Sequence, residues 1–116
     1  MLPKKSRVSR KEFLKILNSG KKYNSPHILL YVVNLGLKES IKESKFSFSV
    51  SKKASSLAVD RNKYRRQGYS IINKHIKFIK PGFICLFSFK KGLPPLKFDI
   101  LEKEIMELLS VSGVLL

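Results

Sequence analysis

Acidic residues, histidine and cysteine are the scarce side chains of this 116-residue sequence, which holds eight Asp and Glu, two His and one Cys. A single cysteine excludes an intramolecular disulfide. Cys85 lies inside the apolar run FICLFSF, where a small buried core residue is a simpler reading than a reactive thiol. Neither histidine has a Ser, Cys or acid at a spacing that suggests a proton relay or a metal site. His27 follows Pro26 at a strand start and His75 sits in a basic helix, so both read as structural or solvent-facing. Four of the eight acids, Asp99, Glu102, Glu104 and Glu107, fall in one helix and read as a solvated face with a favourable helix dipole. There is no Gly-rich phosphate loop, and no apolar run approaches the roughly 20 residues that span a bilayer. The opening MLPKKSRVSRKEF is basic without the apolar core of a secretory signal, so a cytoplasmic location is expected. A protein that supplies its own nucleophile or metal ligands is not expected, and no catalytic residue is assigned.

What is present is apolar mass and positive charge. Hydrophobic residues make up 43% and include eight Phe, which suits one packed domain over residues 1–116. The 24 Lys and Arg set the net charge at +16, and the isoelectric point is near 10.2. Residues 1–98 carry 23 basic and four acidic side chains, whereas 99–116 carry Lys103 against four acids. A compact domain this basic repels itself unless a polyanion neutralises it. Nucleic acid is the leading partner, and an anionic membrane surface is the weaker one.

Residues 1–8 form a basic arm that is expected to be flexible. Ser9-Arg10-Lys11-Glu12 reads as a capping box, and Phe13, Ile16 and Leu17 follow at helical spacing, which predicts a helix over 9–19 stopped at Gly20. A linker ends at Pro26, and HILLYVVN predicts a strand at 27–34. NLGLKESIKES is a polar connection. KFSFSVS at 45–51 alternates strictly, with Phe46, Phe48 and Val50 on one face and Lys45, Ser47 and Ser49 on the other. A helix is expected from Ala58 to about Lys77, with Gly68 a candidate break that costs about 1 kcal/mol relative to Ala. Lys80-Pro81-Gly82 is a turn, FICLFSFKK at 83–91 is a strand, and GLPPLK is a loop. Asp99 to Glu102 repeats the capping logic for a last helix with Leu101, Ile105, Leu108 and Leu109 as its stripe, ending near Gly113. The expected order is α-β-β-α-β-α, an α+β chain without internal repeats.

Binding chemistry concentrates in KKASSLAVDRNKYRRQGY, residues 52–69, with six basic residues and one acid. On a helix, Arg61 and Arg65 share a face, as do Asn62 and Arg66. Guanidinium forks bind phosphate oxygens bidentately, Asn both donates and accepts, and Lys52, Lys53 and Lys63 add point charges. Asp60 is the one nearby acid, which argues against a merely solvated helix. A sheet carrying Tyr31 and the small face of Ser47 and Ser49 suits an unpaired nucleotide strand, with Phe13 at its border. Taken singly, these aromatics read better as core. Charge and periodicity therefore leave a structural ribosomal RNA-binding protein as an alternative to any RNA-processing role.

The order of residues goes further. FSFSVSKK followed by AVDRNKYRR resembles the signature of the bacterial ribonuclease P protein component, a strand ending in S-V-S-K-K and then an Arg-Asn helix. The resemblance runs along essentially the whole chain. It implies a two-layer α/β sandwich with a left-handed β-α-β crossover, the fold type of the second domain of a small-subunit ribosomal protein. It also implies an accessory subunit of an endoribonuclease, in which a large catalytic RNA with Mg²⁺ removes the 5′ leader of precursor tRNA and no recognisable protein motif binds the metal. The match assigns Lys52, Lys53, Arg61, Asn62, Lys63, Arg65 and Arg66 to RNA binding, and Phe13, Leu17 and Tyr31 to the leader cleft. Leu17 stands where the family has a second aromatic, and Lys63 replaces an Arg, which keeps charge and loses the fork. The Gly usual after S-K-K is absent, A-S-S-L is one residue longer, and Gly68 interrupts a helix that the family continues.

Overall fold

The computed structural model describes residues 20–34 and 44–116. The basic arm, the helix expected over 9–19 with Phe13 and Leu17, and most of the polar connection lie outside the described residues. Within them, strands β1 (Lys21–Asn24), β2 (Ile28–Asn34), β3 (Lys45–Ser49) and β4 (Phe83–Phe89) form one sheet. Helix α1 (Ala58–Lys74) joins β3 to β4, a 3₁₀ turn (Ile76–Phe78) follows it, and helix α2 (Phe98–Val111) follows β4. The sheet order is β1-β2-β4-β3. β1–β2 and β2–β4 pair antiparallel, whereas β3 and β4 pair parallel, so α1 is the crossover of a β-α-β unit.

Strand β1 falls in the stretch expected to be linker. KKYN shows no apolar alternation, and its strand state comes from pairing with β2 across the Ser25–His27 turn. Two other boundaries differ for local reasons. α1 stops at Lys74, where the His75 amide bonds the carbonyls of Ile71 and Ile72, and the chain tightens into the 3₁₀ turn. α2 starts one residue before Asp99 and has no side-chain cap, so the expected capping box does not form. Asp99 instead sits in the first turn, where the dipole favours it.

One sheet face packs against both helices. Ile28, Leu30 and Val32 from β2, Phe46 and Phe48 from β3, and Cys85, Phe87 and Phe89 from β4 join Tyr64, Ile71 and Ile72 of α1 and Leu101, Ile105, Leu108 and Leu109 of α2. Phe48 stacks on Phe87 at 4.6 Å and receives the edge of Tyr69 at 5.0 Å. Gly68 is buried inside α1 and does not break it. A Cβ at that position would sit 2.6 Å from the Phe48 ring. The glycine is therefore the contact point that lets the helix axis approach the sheet. Cys85 is fully buried, and loss of hydration pushes its thiol up to about 12, as an inert core residue requires.

Glu104 departs from the expected solvated face. It is buried, and its Oε1 accepts from the Ser25 hydroxyl (2.6 Å) and the His27 amide (2.9 Å), while Oε2 lies 2.6 Å from His27 Nδ1. Burial pushes its carboxyl up, but the hydrogen bonds from Ser25 and His27 outweigh that and hold it below the usual range. Glu102 also finds partners, Lys74 Nζ at 3.0 Å and His75 Nε2 at 3.1 Å, which tie α2 to the end of α1.

Two expectations follow. Gly68→Ala gains about 1 kcal/mol of helix propensity but drives a methyl into the Phe48 ring, an overpacking that costs about 1–3 kcal/mol. Urea melts should place the variant below the parent, and a more stable variant would refute the close-approach role. Because the Glu104 carboxyl is lowered in the folded state, its stabilisation is complete above the ordinary carboxylate range and is lost as pH falls through the lowered value. Glu104→Gln should cost about 1–3 kcal/mol at neutral pH, with a gap to the parent that closes in acid. A gap independent of pH would show that the charge is not what matters.

Candidate nucleic-acid interface

The segment between β3 and α1 is held at both ends. Ser51 turns the chain, its carbonyl accepting from the amides of Ala54 (3.1 Å) and Ser55 (3.0 Å). Ala54 plugs the core, and the carbonyls of Lys53 and Ala54 accept from the amides of Gly92 and Leu93. A-S-S-L thus begins in a turn docked on the 91–97 loop, and the side chains of Lys52 and Lys53 are exposed. The same loop is fixed from the helix side, where the Tyr64 hydroxyl accepts from the Leu96 amide at 3.2 Å.

Leu57, at the N-cap of α1, supplies no side-chain cap. Arg61 takes over that task from inside the helix. Its Nη1 donates to the carbonyls of Ser55 (3.0 Å) and Ser56 (2.9 Å), so the guanidinium is turned back onto the preceding turn. The expected strip therefore divides. Arg61 braces the entry to the helix, while Asn62, Lys63 and Arg66 are exposed and Arg65 is half-buried, donating to Asn62 Oδ1. Lys63 Nζ lies 5.9 Å from the Tyr64 ring centre.

Asn62, Arg65 and Arg66 line a surface depression of about 590 Å³ together with Val59 and Tyr69. A second depression of about 250 Å³ adjoins it, lined by Arg66, Tyr69, Ser70 and Asn73. The last three residues and Val59 were absent from the sequence-based set. Their signal was the continuation of the Asn62–Arg66 spacing by three and four residues along the same face. Tyr69 is a fixed wall between the two hollows, since its ring abuts Phe48 and its hydroxyl accepts from the Phe48 amide at 3.4 Å. Among the described residues no acidic side chain lines either depression.

The second expected surface lies on the other side of the sheet. Registers place Lys22, Tyr31, Leu86 and Ser47 in one cross-strand row, with Ser88 and Ser49 in the next. Tyr31 is half-buried beside Ile84 and Leu86, and Lys22 Nζ stands 5.6 Å from its ring centre. Tyr31, Ser47 and Ser49 thus share one face, as the alternation predicts. Phe13 and Leu17 lie outside the described residues.

A family model described as Ribonuclease P matches residues 2–112. The chain belongs to the ribonuclease P protein component family. The ribonuclease P protein component of Rippkaea orientalis is 30% identical over 116 residues, covering 98% of this chain and 91% of that protein. Two solved structures share the fold. The RNase P protein of Staphylococcus aureus superposes with a TM-score of 0.82 at 20% identity, covering 94% of this chain and 96% of that one. That of Thermotoga maritima gives 0.77 at 22% identity, covering 90% and 96%. The α+β architecture expected for a ribonuclease P protein is the architecture observed.

The division of the strip has a measurable consequence. Arg61→Ala removes two charge-assisted bonds from a partly exposed site and should lower folding stability by about 1 kcal/mol. Arg66→Ala, at an exposed position, should stay within about 0.5 kcal/mol of the parent. Equal effects in thermal melts would mean that Arg61 has no bracing role.

Proposed function

We propose that this chain is the protein subunit of a cytoplasmic ribonuclease P, which binds the catalytic RNA and the 5′ leader of precursor tRNA and assists endonucleolytic removal of that leader. The observation that carries the reading is that Asn62, Arg65 and Arg66 line a hollow on α1 with no acid among the described residues, with Lys63 exposed on the same helix and Lys52 and Lys53 exposed before it, in a chain of this family. Guanidinium and ammonium groups there neutralise phosphates of the catalytic RNA, and counterions are released as they do so. Arg65 and Arg66 supply forks, Asn62 supplies an amide, and Lys52 and Lys53 extend the positive surface toward β3.

On the opposite sheet face, Tyr31 offers a ring for an unpaired leader base, flanked by the small Ser47 and Ser49 that leave room for a strand. Lys22 beside that ring places a cation near the leader backbone. Phe13 and Leu17 complete the cleft in this proposal.

The RNA subunit, with its Mg²⁺, supplies the hydrolytic chemistry. Among the described residues no group of three or more His, Cys, Asp or Glu side chains is placed to hold a metal ion. The Ser25–His27–Glu104 cluster does not fit one either, because Glu104 already accepts from both neighbours. The protein's part is to lower the Mg²⁺ demand by screening repulsion between two RNAs and to raise precursor affinity by gripping the leader.

Combining the protein with its cognate catalytic RNA at low Mg²⁺ should stimulate precursor cleavage. Arg65→Ala with Arg66→Ala should weaken RNA binding and reduce the log–log salt slope by roughly 1–2. Absence of stimulation, or co-purification with ribosomal subunits in place of one catalytic RNA, would overturn the proposal.

A further inference from the structure

A depression of about 610 Å³ lies at the end of the sheet, remote from the hollows on α1. Tyr23 and Phe83 line it as half-buried rings packed against the core, Val32 and Val33 also line it, and Lys21 and Lys80 are exposed at its margin. Among the described residues no acidic side chain lines it, and neither lysine makes an ion pair. The carbonyl end of α2 is adjacent through Ser112 and Gly113. Its negative character is blunted, since the carbonyls of Leu108, Leu109 and Ser110 accept from the amides of Ser112, Val114 and Gly113. Two lysines without an ion pair among the described residues, beside two half-buried rings, suit one ligand chemistry, a planar base carrying a phosphate.

We propose that this depression is a second nucleotide site, which takes an unpaired RNA nucleotide with its base against Tyr23 and Phe83 and its phosphate between Lys21 and Lys80. The inference rests on the RNA-binding reading above and adds a contact that neither the α1 strip nor the Tyr31 face supplies. Tyr23 pairs with Leu30 and Lys21 with Val32 on the core side of the sheet, whereas Lys22 and Tyr31 lie on the other. The Tyr23 and Tyr31 rings therefore lie on opposite faces of the sheet. The nucleotide comes either from the catalytic RNA or from the precursor.

The test uses the full chain in two binding arms, one with catalytic RNA alone and one with precursor added to the assembled holoenzyme. Lys21→Ala with Lys80→Ala should weaken binding about 10-fold in one arm and reduce its salt slope by roughly 1–2, and the affected arm identifies the source. Tyr23→Leu keeps apolar bulk at the core and should weaken the same arm about fivefold or more without changing the slope. Uridine 5′-monophosphate, titrated as a probe, should shift the amide resonances of Phe83 and Gly113. Unchanged affinity in both arms, with those resonances unmoved, overturns this site while leaving low-Mg²⁺ stimulation intact. Failure of the unaltered protein to stimulate cleavage would overturn the proposed function and this inference with it.

Discussion

Contact between the backbone of Gly68 and the Phe48 ring sets the distance between the two layers. Phe48 is pinned from below by Phe87 and from the side by Tyr69, so it does not give way to a larger residue on the helix. With α1 lying this close, Tyr64, Ile71 and Ile72 reach the core formed by β2, β3 and β4. The polar residues of the same helix are then left facing outward. The placement of Asn62, Arg65 and Arg66 is thus a consequence of packing on the opposite side of α1.

The chain also spends polar chemistry on holding its parts together. Arg61 braces the turn before α1, Glu104 fixes the β1–β2 turn to α2, and Glu102 links α2 to the end of α1. Each of these side chains would read as surface charge in a simple hydrophilic count. Their partners tie them to the fold, while the Arg61 guanidinium keeps N–H donors beyond the two bonds made by its Nη1, and lysines and arginines still outnumber acids in the chain.

Much of this was legible before any coordinates. Strict alternation identified β3, since Phe46 and Phe48 demand one buried face, and the apolar stripe of Leu101, Ile105, Leu108 and Leu109 identified α2. The Arg-Asn stretch was recognisable by the order of its residues after S-V-S-K-K. Other features depend on distant partners and leave little local trace. β1 is a strand because β2 offers it a ladder, and nothing in KKYN announces that. Glu104 is buried because its ligands arrive from 77 and 79 residues away. Gly68 reads as a helix break when propensity alone is considered, and only the position of Phe48 turns it into a contact. Arg61 and Arg65 share a helical spacing yet differ in task, because only Arg61 faces the turn that precedes the helix.

The β1 margin of the sheet carries positive charge. β1, at one edge, presents Lys21 and Lys22, while β3, at the other, begins at Lys45 and gives the Phe48 amide to the Tyr69 hydroxyl. An open strand edge is a template on which another chain can zip, and lysines at that edge are a common defence. Two copies approaching edge to edge would bring like charges together before any backbone bond could form. Lys21 and Lys22, part of the basic surface suited to a polyanion, thus also oppose β1-to-β1 pairing of two copies.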